Sequence, residues 1–328
     1  MKLTKKQMDR ARGVLLGCAV GDALGVPFEF KPPQDFGPER LPLGMPGGGP
    51  FNFGPGEWSD DTQMSLCIAR AAWDGLDLSS GKGLERVAKA FVGWYKGGPR
   101  DVGGQVSSVL ATARTKGWKG LAQRAAERYV NAPENSAGNG SLMRTAPVAL
   151  RHLDNPKKLT AAARKVSALT HADPDCLDAC TLWVHAIRGA VLHGDAVAGM
   201  AAGLAELEPK ARNRWAGLLD EAEHHMPYDF PNNGWVVHAL QAAWSAVTLS
   251  WEEHGKMLLG PTPFEQGITA AVGCGKDTDT VAAIAGALLG AVWGASGIRP
   301  EWRAEVRGWP CSTGADLIRI AEEIVEGI

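Results

Sequence analysis

Asp277-Thr278-Asp279-Thr280-Val281-Ala282-Ala283-Ile284-Ala285-Gly286-Ala287-Leu288-Leu289-Gly290-Ala291-Val292-Trp293 sets two carboxylates and two hydroxyls in front of an unbroken apolar run. The uncharged stretch Val281 to Ile298 approaches the length of a membrane span. It is built from Ala and Gly more than from Leu and Ile, and Asp277 and Asp279 stand at its entrance, so it reads as a helix buried in a protein core. Gly286, Gly290 and Gly294 recur every fourth residue on one helix face, where missing side chains let a second backbone approach. The stretch predicts a central helix packed tightly among neighbours.

The rest of the chain carries the same period. Met8, Ala11, Val14, Leu15, Cys18 and Ala19 repeat at helical spacing, as do Leu84, Val87, Ala88, Phe91 and Val92. Further helices are predicted over Ala161 to Leu169, Leu177 to Leu192, Val236 to Leu249 and Leu317 to Val325. Strand-like alternation is nearly absent, so the predicted class is all-α, with roughly a dozen helices at average helix length. Pro27 to Trp58 holds much of the Pro and Gly, yet Phe28, Phe30, Phe51, Phe53 and Trp58 argue against simple disorder. Asn131 to Gly140 and Pro227 to Gly234 are two further breaks. No low-complexity linker and no repeat divides the chain, and one domain over residues 1–328 is expected.

Composition narrows the partners. With 328 residues and a net charge of -2, the chain has no basic field for nucleic acid or an anionic membrane, and neither is expected as a partner. The six cysteines form no Cys-x-x-Cys pair and read as reduced core residues of a cytoplasmic protein. Leu15-Leu16-Gly17-Cys18 faintly resembles a lipoprotein cleavage site, but the apolar stretch before Cys18 is far shorter than the ~7–15 residues of a signal peptide.

The chemistry is carried by acids. Ser59-Asp60-Asp61-Thr62 precedes the apolar run Met64 to Trp73 much as Asp277 to Thr280 precedes its own. Both segments sit where helix N-caps belong, and a single Asp there usually does no more than satisfy backbone donors. A cap needs one such side chain, whereas each segment has two aspartates and a hydroxyl. Hard divalent cations bind such oxygen donors. If Asp60, Asp61, Asp277, Asp279 and Glu29 converge, their five negative charges are nearly balanced by two divalent ions. Glu29, in Pro27-Phe28-Glu29-Phe30, sits in a segment too apolar for an ordinary surface loop. The small residues of Gly138-Asn139-Gly140-Ser141-Leu142-Met143-Arg144 allow backbone donors to approach a phosphate or sugar beside a cation.

In this order the segments resemble the ADP-ribosylglycohydrolase family, the all-helical enzymes that include dinitrogenase reductase-activating glycohydrolase. Gly17 to Glu29 is similar to its N-terminal Gly-Asp helix, Trp58 to Met64 to its Thr-Asp-Asp-Thr motif, and Gly138 to Arg144 to its Gly-Asn-Gly loop. Thr170-His171 resembles its Thr-His element, and Gly275 to Gly290 its Asp-x-Asp-Thr motif with the helix behind it. The resemblance implies a compact orthogonal helical bundle around a central dinuclear Mg²⁺ or Mn²⁺ site. Its metal ligands would be Ser59, Asp60, Asp61, Asp277, Asp279 and Thr280, with Glu29 at the rim orienting a metal-bound water or the ribose. Ser59 stands where Thr is common and keeps the hydroxyl. Glu29, Asp61 and Asp101 are the expected catalytic acids, Asp101 resembling one that arginine-directed members use on the ribose. Asn139, Gly140, Ser141, Met143, Arg144 and His171 would bind substrate, and Trp235 offers a stacking platform for adenine or ribose.

The implied reaction is hydrolytic removal of ADP-ribose from a modified protein or small molecule, with arginine on a protein as the leading acceptor. Serine, a nucleic-acid base and a metabolite stay open. Two competing readings are a metal-dependent phosphoesterase acting on a nucleotide and a non-catalytic binder of ADP-ribose. The first should release phosphate or AMP in place of intact ADP-ribose, and the second should have lost some metal-binding side chains.

Overall fold

A computed structural model of the chain describes residues 1–113, 117–252 and 261–328. Among these residues are fifteen α-helices. The first five are α1 (Lys5–Gly25), α2 (Asp60–Trp73), α3 (Gly81–Lys96), α4 (Gly104–Ala111) and α5 (Leu121–Asn131). Next come α6 (Ala146–Arg151), α7 (Pro156–Ser167), α8 (Pro174–His193), α9 (Ala196–Ala205) and α10 (Pro209–Glu223). The last are α11 (Val236–Glu252), α12 (Pro263–Gly273), α13 (Thr278–Trp293), α14 (Pro300–Glu305) and α15 (Gly314–Glu326). The only paired strands among the described residues are β1 (Arg307–Gly308) and β2 (Ser312–Thr313), antiparallel with Arg307 opposite Thr313. The chain is all-α, as its periodicity predicts.

The apolar face of each helix enters one continuous core that runs from Ala11 to Val325. Its axis is the pair α1 and α13, the most extensive helix–helix interface in the protein. The reason is a glycine repeat on both partners. A Cβ added at Gly13 would stand 2.1 Å from the carbonyl oxygen of Gly290, and one at Gly17 2.1 Å from that of Gly286. At Gly21 it would meet the Ala282 carbonyl oxygen at 2.0 Å, and at Gly25 the Cα of Asp279 at 2.3 Å. Numbers rise along α1 as they fall along α13, so the helices are antiparallel. The last turn of α1 therefore lies against the first turn of α13. Close packing thus fixes which residue of one helix faces which residue of the other, and delivers Asp22 and Asp279 to the same place.

Gly286 and Gly290 serve as the sequence predicts, and Gly294, just past the helix, packs on α1 too, its carbonyl carbon 2.9 Å from a Cβ built at Gly13. It follows the last turn with φ of 78°, where Asp9 occupies the space of its missing side chain. Its backbone conformation, which glycine adopts at little cost, ends the helix. α1 is long and apolar enough to cross a membrane by length and composition, yet its apolar window is 89% buried inside the protein. α13 is likewise buried from Thr278 to Ala291.

Pro27 to Trp58 is largely irregular, as its composition predicts, and it is anchored. Met45, Phe53 and Trp58 are buried, Gly48 pairs with Phe53, and Trp302 Nε1 donates to the Leu43 carbonyl at 2.8 Å. Five cysteines are free and buried, whereas Cys311 is exposed, so it departs from the core role expected of it.

Candidate active site

The carboxylates converge in two overlapping groups. One oxygen each from Asp22, Asp61 and Asp279 lie within 4.8 Å of one another, and so do oxygens of Glu29, Asp277 and Asp279. Asp279 belongs to both. Asp22 arrives on the last turn of α1, Glu29 just beyond it, Asp61 on the first turn of α2, and Asp277 and Asp279 at the start of α13. Asp22 stands in the segment Gly21 to Gly25 but was not among the expected ligands. Its signal was the Gly21-Asp22 step of the Gly-Asp helix, to which no ligand role was attached.

Capping of their own helices does not account for these acids. Ser59 is the N-cap of α2, yet its side chain makes no cap hydrogen bond. Asp22 supplies the cap from another helix: Oδ1 accepts from the Ser59 amide at 2.8 Å, and Oδ2 from the Thr62 amide at 3.0 Å and the Thr62 hydroxyl at 2.6 Å. The start of α2 is thereby satisfied without spending its own acids. Ser59 Oγ is free to donate to Asp61 Oδ2 at 2.8 Å, and Asp60 Oδ2 accepts from the Gly103 amide at 3.3 Å. Asp277 repeats the pattern at α13, where it is the N-cap without a side-chain cap bond. Its Oδ2 accepts from Asn139 Nδ2 at 2.7 Å, and its amide donates to Asn233 Oδ1 at 3.1 Å. Asn233, read from sequence only as part of an irregular break, also donates to the Gly275 carbonyl at 2.8 Å. It clamps the loop that presents Asp277. Phe30 (φ 59°) and Lys276 (φ 60°) take left-handed conformations that non-glycine residues seldom adopt, each next to a site acid.

The electrostatics favour a cationic counter-charge at this site. Glu29 Oε2, Asp61 Oδ1 and Asp279 Oδ1 are buried oxygens without a hydrogen-bond partner. Burial, then Asp101, pushes Glu29 up to about 9. Burial raises Asp60 and Asp61 well above the usual carboxylate range, with Asp101 and Asp22 respectively as the next cause. Asp279 is raised by burial and then by Asp61, Asp277 by burial, and Asp22 by burial to about 6. Acids so placed cannot all ionise unless cations join them. Oxygen-only donors, both carboxylate and hydroxyl, fit a hard divalent ion.

These groups floor a cleft of ≈ 1140 Å³. Glu29, Asp60, Asp101, Asp277, Asp279 and Thr280 reach its lining, while Ser59 and Asp61 lie fully behind it. Asp101 joins the site, raised by burial and then by Asp277 to about 6. Asn139, Gly140, Met143, His171 and Trp235 also line the cleft. Ser141 and Arg144 do not. Ser141 is buried and takes hydrogen bonds from Ser167 and Cys180. Arg144 is fully buried, donating to Thr170 and lying 4.4 Å from the Phe91 ring centre. The helical turn after Asn139 points both inward, away from the cleft. Among the described residues Arg128 is the one Lys or Arg along the lining, and its Nε has no partner there. It sits on α5, in a segment with no motif to mark it.

Residues 3–328 match the sequence model of the family described as ADP-ribosylglycohydrolase. The chain is 33% identical over 310 residues to "ADP-ribosylarginine hydrolase Tri1" of Pseudomonas putida (strain GB-1), covering 93% of this chain and 76% of that protein. It is 30% identical over 312 residues to "ADP-ribosyl-[dinitrogen reductase] glycohydrolase" of Rhodospirillum rubrum, covering 91% and 90%. A solved structure titled "ADP-ribosylglycohydrolase-related protein complex" superposes with a TM-score of 0.69 at 28% identity, over 98% of this chain and 99% of that one.

Proposed function

The chain belongs to the ADP-ribosylglycohydrolase family, and from that membership we propose that it hydrolyses the bond between an acceptor and the anomeric carbon of ADP-ribose, with ADP-ribosyl-arginine on a protein as substrate. The observation that carries this reading is the pair of carboxylate groups sharing Asp279, with three orphaned oxygens, at the floor of a cleft. Of these acids only Asp22 spends its oxygens on a helix start, and it does so for a helix other than its own. Arginine as acceptor is favoured by the acidic wall, where Asp101 and Asp60 offer a guanidinium two carboxylates.

The ligands of two Mg²⁺ or Mn²⁺ ions would be Ser59, Asp60, Asp61, Asp277, Asp279 and Thr280, with Asp22 near enough to Asp61 and Asp279 to join or support them. Bound there, such ions hold ribose hydroxyls and make water more acidic. The chain's own groups do the rest. Asp101, on the cleft wall, would take the proton of an attacking water. Glu29, with Oε2 unpartnered, holds the water or a ribose hydroxyl in line. Trp235 offers its ring to adenine or ribose, and Arg128 its charge to the diphosphate. The free cysteines support a cytoplasmic setting.

Matched ADP-ribosyl-arginine and ADP-ribosyl-serine peptides, incubated with Mg²⁺, Mn²⁺ or chelator and read by mass spectrometry, test the proposal. Metal-dependent release of intact ADP-ribose from the arginine peptide is expected. Asp61→Asn and Asp277→Asn should each abolish it while the protein stays folded. Activity retained in either variant, or release of AMP, would overturn the mechanism.

A further inference from the structure

Arg144 is a fully buried cation with no ion-paired carboxylate among the described residues. Its Nη2 donates to Thr170 Oγ1 at 2.6 Å, and its Nη1 faces Met64 Sδ at 3.5 Å. A guanidinium only donates, so Thr170 Oγ1 accepts from it. The other neighbour of that oxygen is His171 Nδ1 at 2.7 Å. If Nδ1 carried a proton, the Thr170 hydroxyl would accept twice and its own hydrogen would have no acceptor among the described residues. The hydroxyl therefore donates to Nδ1, and the neutral ring carries its proton on Nε2. That nitrogen faces the glycine turn of the cleft: a Cβ built at Gly140 would stand 3.3 Å from it, and one at Gly138 3.5 Å. Burial, then the Arg144 charge, holds the His171 pKa well below its ordinary value, so the ring is neutral.

We propose that Arg144 is a positioning residue acting through Thr170, holding His171 with its Nε2–H toward the Gly138–Gly140 turn to donate to an oxygen of ADP-ribose. The ligand rests on the function proposed above; the relay stands on the hydrogen bonds alone. Arg144 never touches the substrate, yet it sets which nitrogen of His171 does. A donor-only side chain at the head of the relay fixes its polarity in one direction, which a neutral residue with both donor and acceptor would not.

The test uses the full chain. Nitrogen-15 spectra of the ligand-free protein, with the His171 signals assigned by comparison with His171→Gln, report whether Nε2 is protonated and Nδ1 accepts a hydrogen bond. Calorimetry measures the affinity for ADP-ribose and, separately, for Mn²⁺. Thr170→Val breaks the relay and Thr170→Ser preserves the oxygen. The valine variant should lose the hydrogen-bonded Nδ1 signature and bind ADP-ribose about tenfold more weakly, the scale of one neutral hydrogen bond, with Mn²⁺ affinity unchanged. The serine variant should restore both. If Thr170→Val does not fold because Arg144 loses its acceptor, Arg144→Met combined with Thr170→Val removes both partners and is measured in its place. Unchanged ADP-ribose affinity in the folded relay-broken variant, or a wild-type proton on Nδ1, overturns the proposal. A wild-type protein showing the expected spectrum but no ADP-ribose binding overturns the ligand assignment and leaves the relay standing.

Discussion

Gly25→Ala ties the packing of the core to the chemistry of the site. The new Cβ would stand 2.3 Å from Asp279 Cα and 2.8 Å from its amide nitrogen. Carbon atoms pack at about 3.5 Å or more, so Asp279 must retreat by roughly 1 Å. Overpacking of this kind costs about 1–3 kcal/mol. With an unfolding entropy of about 2 cal/mol/K per residue, a chain of this size loses roughly 1.5 °C per kcal/mol, so Tm should fall by about 2–5 °C. The effect on the site should be larger. A shift of about 1 Å is half of a Mg²⁺–oxygen distance. Mn²⁺ affinity should drop at least tenfold, and kcat/KM by about 100-fold, on the scale known for misplacement of about 1 Å. Gly13→Ala is the control. Its Cβ meets the Gly290 carbonyl oxygen at 2.1 Å, but it lies twelve residues, or about 18 Å, down the same helix. It should lower Tm to a similar extent with little effect on Mn²⁺. Scanning calorimetry and Mn²⁺ titration by electron paramagnetic resonance give both numbers. The reasoning fails if Gly25→Ala binds Mn²⁺ like wild type, or if Gly13→Ala loses as much affinity as Gly25→Ala.

Three further outcomes are expected. Asp22→Asn replaces a carboxylate that accepts three hydrogen bonds with an amide that turns a donor toward the Ser59 or Thr62 donors. It should cost about 2–3 kcal/mol, speed amide exchange at Ser59 and Thr62, and weaken Mn²⁺ binding. Metal-free protein should lose stability as pH rises from 5 to 9. Asp22 and Asp101 are raised to about 6 and Glu29 to about 9, so the folded state holds protons that the unfolded chain has released. Their stabilising effect is full below about pH 4 and is lost as pH passes these values. The gain in Tm on adding Mg²⁺ should accordingly grow with pH, and a metal-free Tm that rises from pH 5 to 9 would contradict the electrostatic account. Arg128→Gln should weaken ADP-ribose binding about tenfold, with less effect at high salt, while leaving ribose binding unchanged; equal losses for both ligands would mark Arg128 as structural.

Much of the fold was legible because helices are local. A period of 3.6 in Met8 to Ala19 or Leu177 to Leu192 needs no partner to be read. The boundary misjudgements were small: α7 begins at Pro156, five residues before the apolar period shows, because Asn155 and Pro156 start it by capping and not by burial. The acid pairs stood out for a related reason, since two aspartates exceed what any cap requires. Ser141 and Arg144 were harder, because residues in one short motif share a sequence context but not a direction. The turn after Asn139 sends Arg144 to Thr170 and Phe91, on the far side of the cleft wall.

The sequence by itself determined the all-helical class, the tight-packing face of α13 and the supply of acids at two helix starts, because each depends on residues a few positions apart. Only the tertiary structure decided that Asp22 caps α2 across 37 residues of chain. It alone set Gly13 to Gly25 against Gly290 to Asp279 and brought the Arg128 cation to an acidic cleft. Those features are distances between elements, set by how closely two glycine faces can approach. No local pattern encodes such a distance until both faces are known.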